Sequence, residues 1–311
     1  MLARRIAGGV ASYVPGFNAL RAKGTGGSDS ARYCYAVWFR HLLFACEHGM
    51  QGVPARVAEL GPGDSLGAGL AALLSGAGSY TALDRTLYAT PARNLAVFEE
   101  LVALFRDRAP IPEDSEFPGV WPRLADTAFP LRLLGPDQLE RALAPARLTA
   151  IRDAILQMDR PGACVHYVAP WNQVENVVGR SVDFVFSQAV LEHVDDVPST
   201  HRSVHEWLVP GGFASHTIDF RCHGLDPRWN AHWTFSPVVW TLVQGRRPWR
   251  LNRQPISRHR DSLAAAGFEV VAERPRRAPS QVRRGQLATA FRFMDEADLG
   301  TDTATVLARK R

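Results

Sequence analysis

The chain has 311 residues, 46% of them hydrophobic and 22% charged, with a net charge of +5. This is the ordinary balance of a soluble globular protein, with length for one large domain or a core domain with sizeable additions. No run approaches the ~18 consecutive apolar residues of a membrane-spanning helix. The four cysteines, Cys34, Cys46, Cys164 and Cys222, lack metal-site spacing and read as reduced thiols of a cytoplasmic protein.

The chain opens on MLARRIAGGVASYVPGF, two arginines before a short apolar stretch that glycines and Pro15 interrupt. That is too broken for a secretory leader; a helix lying on a membrane surface is a second reading. After a Gly/Ser-rich break, residues 31–50 predict a helix with Tyr33, Val37, His41 and Phe44 on one face, capped by Ser28 or Ser30 and ended by Gly49. Residues 1–52 are thus expected to form an N-terminal helical extension.

ARVAEL reads as a strand, DSLGAGLAALLSG as a helix capped by Asp64 or Ser65, and SYTALD as a second strand. Residues 86–160 break the rhythm. A helix over about 91–106, a proline-rich loop and a helix over about 136–158 make an insertion that is a candidate lid or acceptor-binding element. From 163 the strands resume: ACVHYVA, VDFVFSQ, a helix in STHRSVHEWL, then a turn and strand in PGGFASHTIDF. RHRDSLAAAGFEVVAERP predicts helix then strand, and TDTATVLARK a last strand. Strands alternating with helices argue for a parallel sheet.

The informative turn is Glu59-Leu60-Gly61-Pro62-Gly63-Asp64. Gly61 and Gly63 allow a ligand to approach bare backbone, and a helix N-terminus with free N–H groups follows. A dinucleotide enzyme uses G-x-G-x-x-G there. Here the third glycine, Gly67, falls one position late, and Asp64 puts negative charge where a pyrophosphate would sit. Glu59 suits the ammonium of an amino-acid ligand. Asp84, twenty-five positions on, ends the next strand and can accept both hydroxyls of a ribose; a helix cap or loop acid is the plainer reading.

E-L-G-P-G, then A-L-D, then V-D-F-V-F-S-Q-A-V-L-E-H-V, then L-V-P-G-G together resemble the class I S-adenosylmethionine-dependent methyltransferases, in the branch whose fourth strand runs into L-E-H. The resemblance covers roughly residues 54–85 and 163–220 and the closing strands. It implies an α/β fold with a Rossmann-like, mostly parallel seven-stranded sheet and flanking helices, and S-adenosyl-L-methionine as cofactor. Glu59, Gly61 and Gly63 would line its methionine part, Asp84 the ribose, and Ser187 and Gln188 would lie beneath the sulfonium. The family's acid after the third strand is missing; Trp171 would stack on the adenine instead, or Asn172 hydrogen-bond to it.

Methyl transfer needs alignment, and a hydroxyl acceptor also needs a base. His193 is the first candidate, ordering its own loop being the alternative. Asp219 and His223 can form an oriented base pair or contribute to a metal site, and one carboxylate with histidine is too little to assign a metal. Trp229, Trp233, Trp240 and Trp249 crowd nearby, as sugar-binding faces or as core. Eleven arginines between Arg246 and Arg284 suit phosphate or make a solvated basic face, with too little aromatic content for nucleic acid. Gly245-Arg246-Arg247-Pro248-Trp249 with the Leu251–Ser257 stretch resembles, more loosely, methyltransferases of bacterial surface-glycan synthesis. The expected reaction is O-methylation of a sugar or glycan, nucleotide- or lipid-linked, whose phosphate would meet the arginines. A non-catalytic cofactor-binding partner protein and an NAD-dependent sugar oxidoreductase are the competing readings.

Overall fold

The computed structural model describes residues 2–15, 27–158, 160, 162–171, 181–247 and 249–311. Seven strands form one sheet in the order β3-β2-β1-β4-β5-β7-β6: β1 Arg56–Leu60, β2 Ser79–Leu83, β3 Val165–Val168, β4 Val182–Gln188, β5 Leu208–Asp219, β6 Phe268–Arg277 and β7 Thr301–Lys310. β1 pairs in parallel with both β2 and β4, β2 with β3, and β4 with β5. β7 runs antiparallel to β5 and to β6. This is the Rossmann-like, mostly parallel α/β sheet expected. The strand order reverses between β1 and β4, so a crevice opens at the C-terminal ends of those two strands.

One face of the sheet carries α2 Ala31–Glu47, α3 Gly67–Leu74 and α4 Pro91–Arg106. α2 was expected to bury one face, but Tyr35, Ala36, Val37, Trp38, Phe39 and Leu42 are all inaccessible, on every side of the helix. The reason is a second layer. Arg40, itself fully buried, reaches the Pro112 carbonyl at 2.9 Å and Asp114 at 3.0 Å, and Tyr35 donates to the Ala109 carbonyl at 2.7 Å. The loop after α4 therefore closes over the outside of α2. Inside, Trp38 lies edge-on to Phe184 of β4. Burying one such side chain contributes about 2–3 kcal/mol. α2 is core packing.

α3 begins later than its sequence suggests. Neither Asp64 nor Ser65 caps it in the usual way; the Leu66 amide donates instead to Asn94 Oδ1 of α4 at 2.9 Å. The predicted helix over 136–158 is two helices, α5 Pro136–Ala142 and α6 Pro145–Leu156. Pro145 supplies no N–H and forces Ala144 into extended backbone. α4 and α6 turn Val97, Phe98, Leu101, Ile151 and Ile155 into the same core as α2. The loop between α4 and α5 reaches β5, where Thr217 Oγ1 donates to the Trp121 carbonyl at 3.1 Å.

The other face carries α7 Val197–Trp207 and α9 Ile256–Ala265, over Val185, Ala214 and Ile218. Pro210-Gly211-Gly212 lies within β5 rather than before it, where pairing with β4 shifts register. α1 Leu2–Ala11 brings Ile6 against Trp240 and Val243 of α8 Pro237–Gln244. Among the described residues no helix is long and apolar enough to cross a membrane. The remaining helix, α10 Glu296–Leu299, leads into β7.

Candidate active site

At the end of β1 the chain turns through Gly61, φ +70°, and Gly63, φ +77°. The Gly61 amide donates to the Leu83 carbonyl of β2 at 2.7 Å. A methyl group on Gly61 would lie 2.5 Å from Val190, so this turn packs directly on the chain that leaves β4. Asp84 faces the turn from β2: the Gly63 amide donates to Oδ2 at 3.3 Å and the Arg85 amide to Oδ1 at 2.6 Å. Burial pushes the Asp84 carboxyl up to about 6, and these amides with that of Thr86 hold it from going higher. Trp171 joins the group, its amide donating to the Asp84 carbonyl at 2.8 Å and its ring edge-on to Trp207 at 6.0 Å. Asn172 lies outside the described residues.

The amides that lead into α3, from Gly63 to Gly67, are engaged rather than free. Gly63 donates to Asp84, Asp64 and Ser65 donate to Ser28 Oγ, Leu66 to Asn94, and Gly67 to Ser65 Oγ. A pyrophosphate site needs such amides unengaged, so the turn is unsuited to a dinucleotide on physical grounds beyond the glycine spacing.

Glu59 meets a partner that the sequence reading did not include. Tyr80 of β2 donates its hydroxyl to Glu59 Oε2 at 2.6 Å. Its ring crosses α3 at Gly69, where an added methyl would fall 2.0 Å from it. Burial pushes the Glu59 carboxyl up to about 8 despite that hydrogen bond.

Ser187 and Gln188, side by side at the end of β4, point to opposite faces of the sheet. Ser187 Oγ is 2.8 Å from His216 Nδ1 on the α7–α9 side. Gln188 Oε1 is 3.2 Å from His41 Nε2 on the α2 side, and His41 Nδ1 is 2.7 Å from Ser215 Oγ. Ala189 follows with φ +54°, its amide held by the Thr217 carbonyl at 2.8 Å. That sharp exit leads into a 3-10 turn, Leu191–His193.

Asn252 clamps this turn, donating to the Leu191 and Val194 carbonyls at 2.6 and 2.9 Å. His193 Nδ1 lies 3.1 Å from the Arg250 carbonyl. A carbonyl only accepts, so Nδ1 carries the proton and Nε2 keeps its lone pair. Burial, then the His223 ring beside it, lowers His193 to about 4. From β5, Asp219 Oδ2 sits 3.5 Å from His223 Nε2, and Arg221 grips both Asp219 oxygens. Burial opposes ionisation of Asp219, yet the His223 ring and the Arg221 guanidinium hold it well below the usual carboxylate range. The rings form a file: His223 to His193 at 5.2 Å, His193 to Trp249 at 6.0 Å, and Trp249 to Tyr88 at 5.7 Å. The fold thus brings the predicted residues into two groups, Gly61, Gly63, Asp84 and Trp171 in one, His193, Asp219 and His223 in the other, with Ser187 and Gln188 on the strand leading into the second. Trp233 and Trp240 are core; Trp229 is edge-on to Trp233.

Most of the arginines serve the fold. Arg253 stacks on Trp240 and Phe291, Arg260 pairs with Glu273, Arg276 with Asp302, and Arg284 with Glu296. Arg250, pairing at 3.5 Å with the exposed Asp195, stands beside His193. Sequence reasoning missed Glu192, which is 4% exposed and, among the described residues, has no hydrogen-bond partner of good geometry for either carboxylate oxygen. Its only signal was an acid within an apolar turn.

Residues 123–215 match the family model of the methyltransferase domain, a stretch that includes β3, β4 and part of β5 and leaves out the glycine turn. No curated protein matches the chain. Solved structures with a similar course include an S-adenosylmethionine-dependent methyltransferase from Mesorhizobium loti, 16% identical over 88% of this chain and 98% of that one, TM-score 0.40. Phosphoethanolamine N-methyltransferase 2 from Haemonchus contortus, in complex with S-adenosyl-L-methionine, is 16% identical over 91% of this chain and 57% of its own, TM-score 0.43. A putative sarcosine dimethylglycine methyltransferase from Galdieria sulphuraria is 13% identical over 88% and 84%, TM-score 0.43.

Proposed function

We propose that this chain is a class I methyltransferase that uses S-adenosylmethionine as cofactor and methylates a hydroxyl of a polar acceptor, a sugar or glycan first. The cofactor supplies an electrophilic methyl group on a sulfonium; the protein supplies alignment and removal of a proton. Asp84 is the acceptor for the ribose hydroxyls, with Trp171 beside it for the adenine. Gly61 and Gly63 offer bare backbone to the methionine part, over Ser187 and Gln188. Glu59, tied to Tyr80, supports this end through the turn it precedes.

The acceptor reading rests on one observation, the file of rings from Tyr88 through Trp249 to His193 and His223. Aromatic faces suit the apolar face of a sugar ring. The lone pair on His193 Nε2 and the imidazole of His223, oriented by Asp219, are the bases for a hydroxyl proton. Arg250, whose backbone carbonyl meets His193, is the candidate cation for an acceptor phosphate.

Calorimetric titration of the full chain with S-adenosylmethionine, S-adenosylhomocysteine and NAD tests the cofactor. Binding of the first two and not the third is expected; binding of NAD alone overturns the reading. Methyl transfer is then followed by mass spectrometry on matched sugar and amine acceptors. Transfer to amines alone would reject the hydroxyl acceptor.

A further inference from the structure

We propose that Glu192, His193 and His223 bind one divalent transition-metal ion beside the file of rings assigned to the acceptor. Two of these residues come from the 3-10 turn after β4 and the third from the loop after β5. One ligating atom from each lies within 4.8 Å of the other two. A cation about 2.0–2.2 Å from each donor needs donor separations of about 3–3.5 Å, so rotation of side chains by about 1 Å closes the set.

Three independent features of the structure point to a cation. The first is charge. Glu192 is buried and its two oxygens lack partners of good geometry among the described residues, although the backbone amides of Glu192 and Asp219 lie near and offset part of the cost. Arg221 is committed to both oxygens of Asp219, which leaves neither Glu192 oxygen a hydrogen-bonded cation among the described residues. A buried carboxyl in that position is costly to ionise, and a bound cation offsets the cost.

The second is tautomer. The Arg250 carbonyl holds the proton of His193 on Nδ1 and leaves Nε2 for a ligand. Asp219, 3.5 Å from His223 Nε2, favours a proton there and leaves Nδ1. An acceptor behind the far ring nitrogen is how ligating histidines are oriented. The third is rigidity: Asn252 pins both ends of the turn that carries Glu192 and His193.

Two imidazoles and one carboxylate select Mn, Fe, Co, Ni or Zn over Mg or Ca. Three protein ligands leave positions open for an incoming oxygen. For its use, the site rests on the methyltransferase reading above. A coordinated acceptor hydroxyl is acidified and releases its proton to solvent. Its oxygen lone pair forms the C–O bond, and the electron pair of the broken S–C bond stays on sulfur. The two histidines then act as ligands, and the cation takes over the activation otherwise assigned to them as bases.

The test uses the full chain without a histidine tag, treated with chelator and titrated with Co2+. One equivalent with visible d–d absorption is expected, and Glu192→Gln, His193→Ala and His223→Ala each weaken binding at least tenfold. The His223 side chain is 32% exposed, so its removal leaves the core undisturbed and keeps the test decisive should Glu192→Gln misfold. His48→Ala, outside the site, binds as the parent does. Absence of stoichiometric Co2+ binding, or binding indifferent to His223→Ala, overturns the proposal. Titration of the same chelator-treated protein with S-adenosylmethionine separates the two readings. Cofactor binding without Co2+ binding rejects the metal alone; Co2+ binding without cofactor binding rejects the methyltransferase reading alone.

Discussion

His41 on α2 and Gln188 at the tip of β4 meet inside the protein, Nε2 to Oε1 at 3.2 Å, across 147 positions of sequence. With Ser215 on its other nitrogen, His41 ties the N-terminal helix to the strand end that faces the ligand crevice. Replacing His41 with Ala leaves a cavity and two unpaired polar groups. A loss of about 2–4 kcal/mol in urea unfolding is expected, together with weaker cofactor binding as Gln188 loosens. Deleting residues 1–52 should give insoluble protein, because Trp38, Phe39 and Leu42 belong to the main core. A soluble, cofactor-binding truncation would show that α2 is dispensable.

Asp84 should dominate cofactor affinity. Asp84→Ala removes an acceptor worth about 2 kcal/mol, or roughly thirtyfold in affinity, with the fold retained. Since the Asp84 carboxyl is raised to about 6, affinity should fall as pH drops through 6, because protonation removes acceptor capacity. Asp84→Asn should flatten that dependence. Calorimetry between pH 5 and 8 reads both effects, and an unchanged profile in Asp84→Asn would assign the titration elsewhere.

Gly61 carries a double constraint. Gly61→Ala adds left-handed strain of about 1–2 kcal/mol and a clash with Val190. Val190→Ala made in the same chain should recover the second part and not the first. Thermal unfolding of the two variants separates strain from clash; full recovery would mean that backbone strain contributes nothing.

Stability should peak near pH 6.5. Burial lowers His41 and His201 to about 4 and His232 to about 3, with His216 and His259 also well below normal. In the unfolded chain these take protons near 6.5, so the unfolded state gains protons first and stability falls as pH drops from 6.5 towards 4, by up to about 1.4 kcal/mol per unit per group. Glu59 works the other way. Raised to about 8, it holds a proton that the unfolded chain releases near 4.3, so stability falls as pH rises from 4.3 to 8. Six histidines, His193 included, outweigh Glu59, Glu192 and Asp84 below 6.5, and the raised Glu59 and Glu192 act above it. Urea midpoints across pH 5–8 should trace that maximum. Tyr80→Phe, which strips the Glu59 hydrogen bond, should cost about 1–2 kcal/mol at pH 6.

Much of this protein is written locally. Alternating apolar runs ending in glycine or acid marked the strands, and Gly61, Gly63 and Asp84 stood where a parallel sheet presents its loops. Those signals depend on neighbours within a few residues, which sequence displays directly. Even the boundaries that moved did so for named reasons: Pro145 split a helix, and Asn94 took the cap that Asp64 and Ser65 were expected to supply.

The partners of the site residues were not legible. Tyr80 on Glu59, His41 on Gln188, Ser28 on the amides of Asp64 and Ser65, and the Arg250 carbonyl behind His193 all arrive from distant segments. So does His223 beside the unpartnered Glu192. Periodicity places a residue on a strand or a helix, but protonation, tautomer and ligand set depend on what packs against it. The sequence by itself determined the sheet, the glycine turn and the order of the site's elements; only the tertiary structure decided which carboxyls are satisfied, which imidazole nitrogens are free, and where a buried carboxyl lies beside two imidazoles, because those properties belong to pairs of residues that only folding brings together.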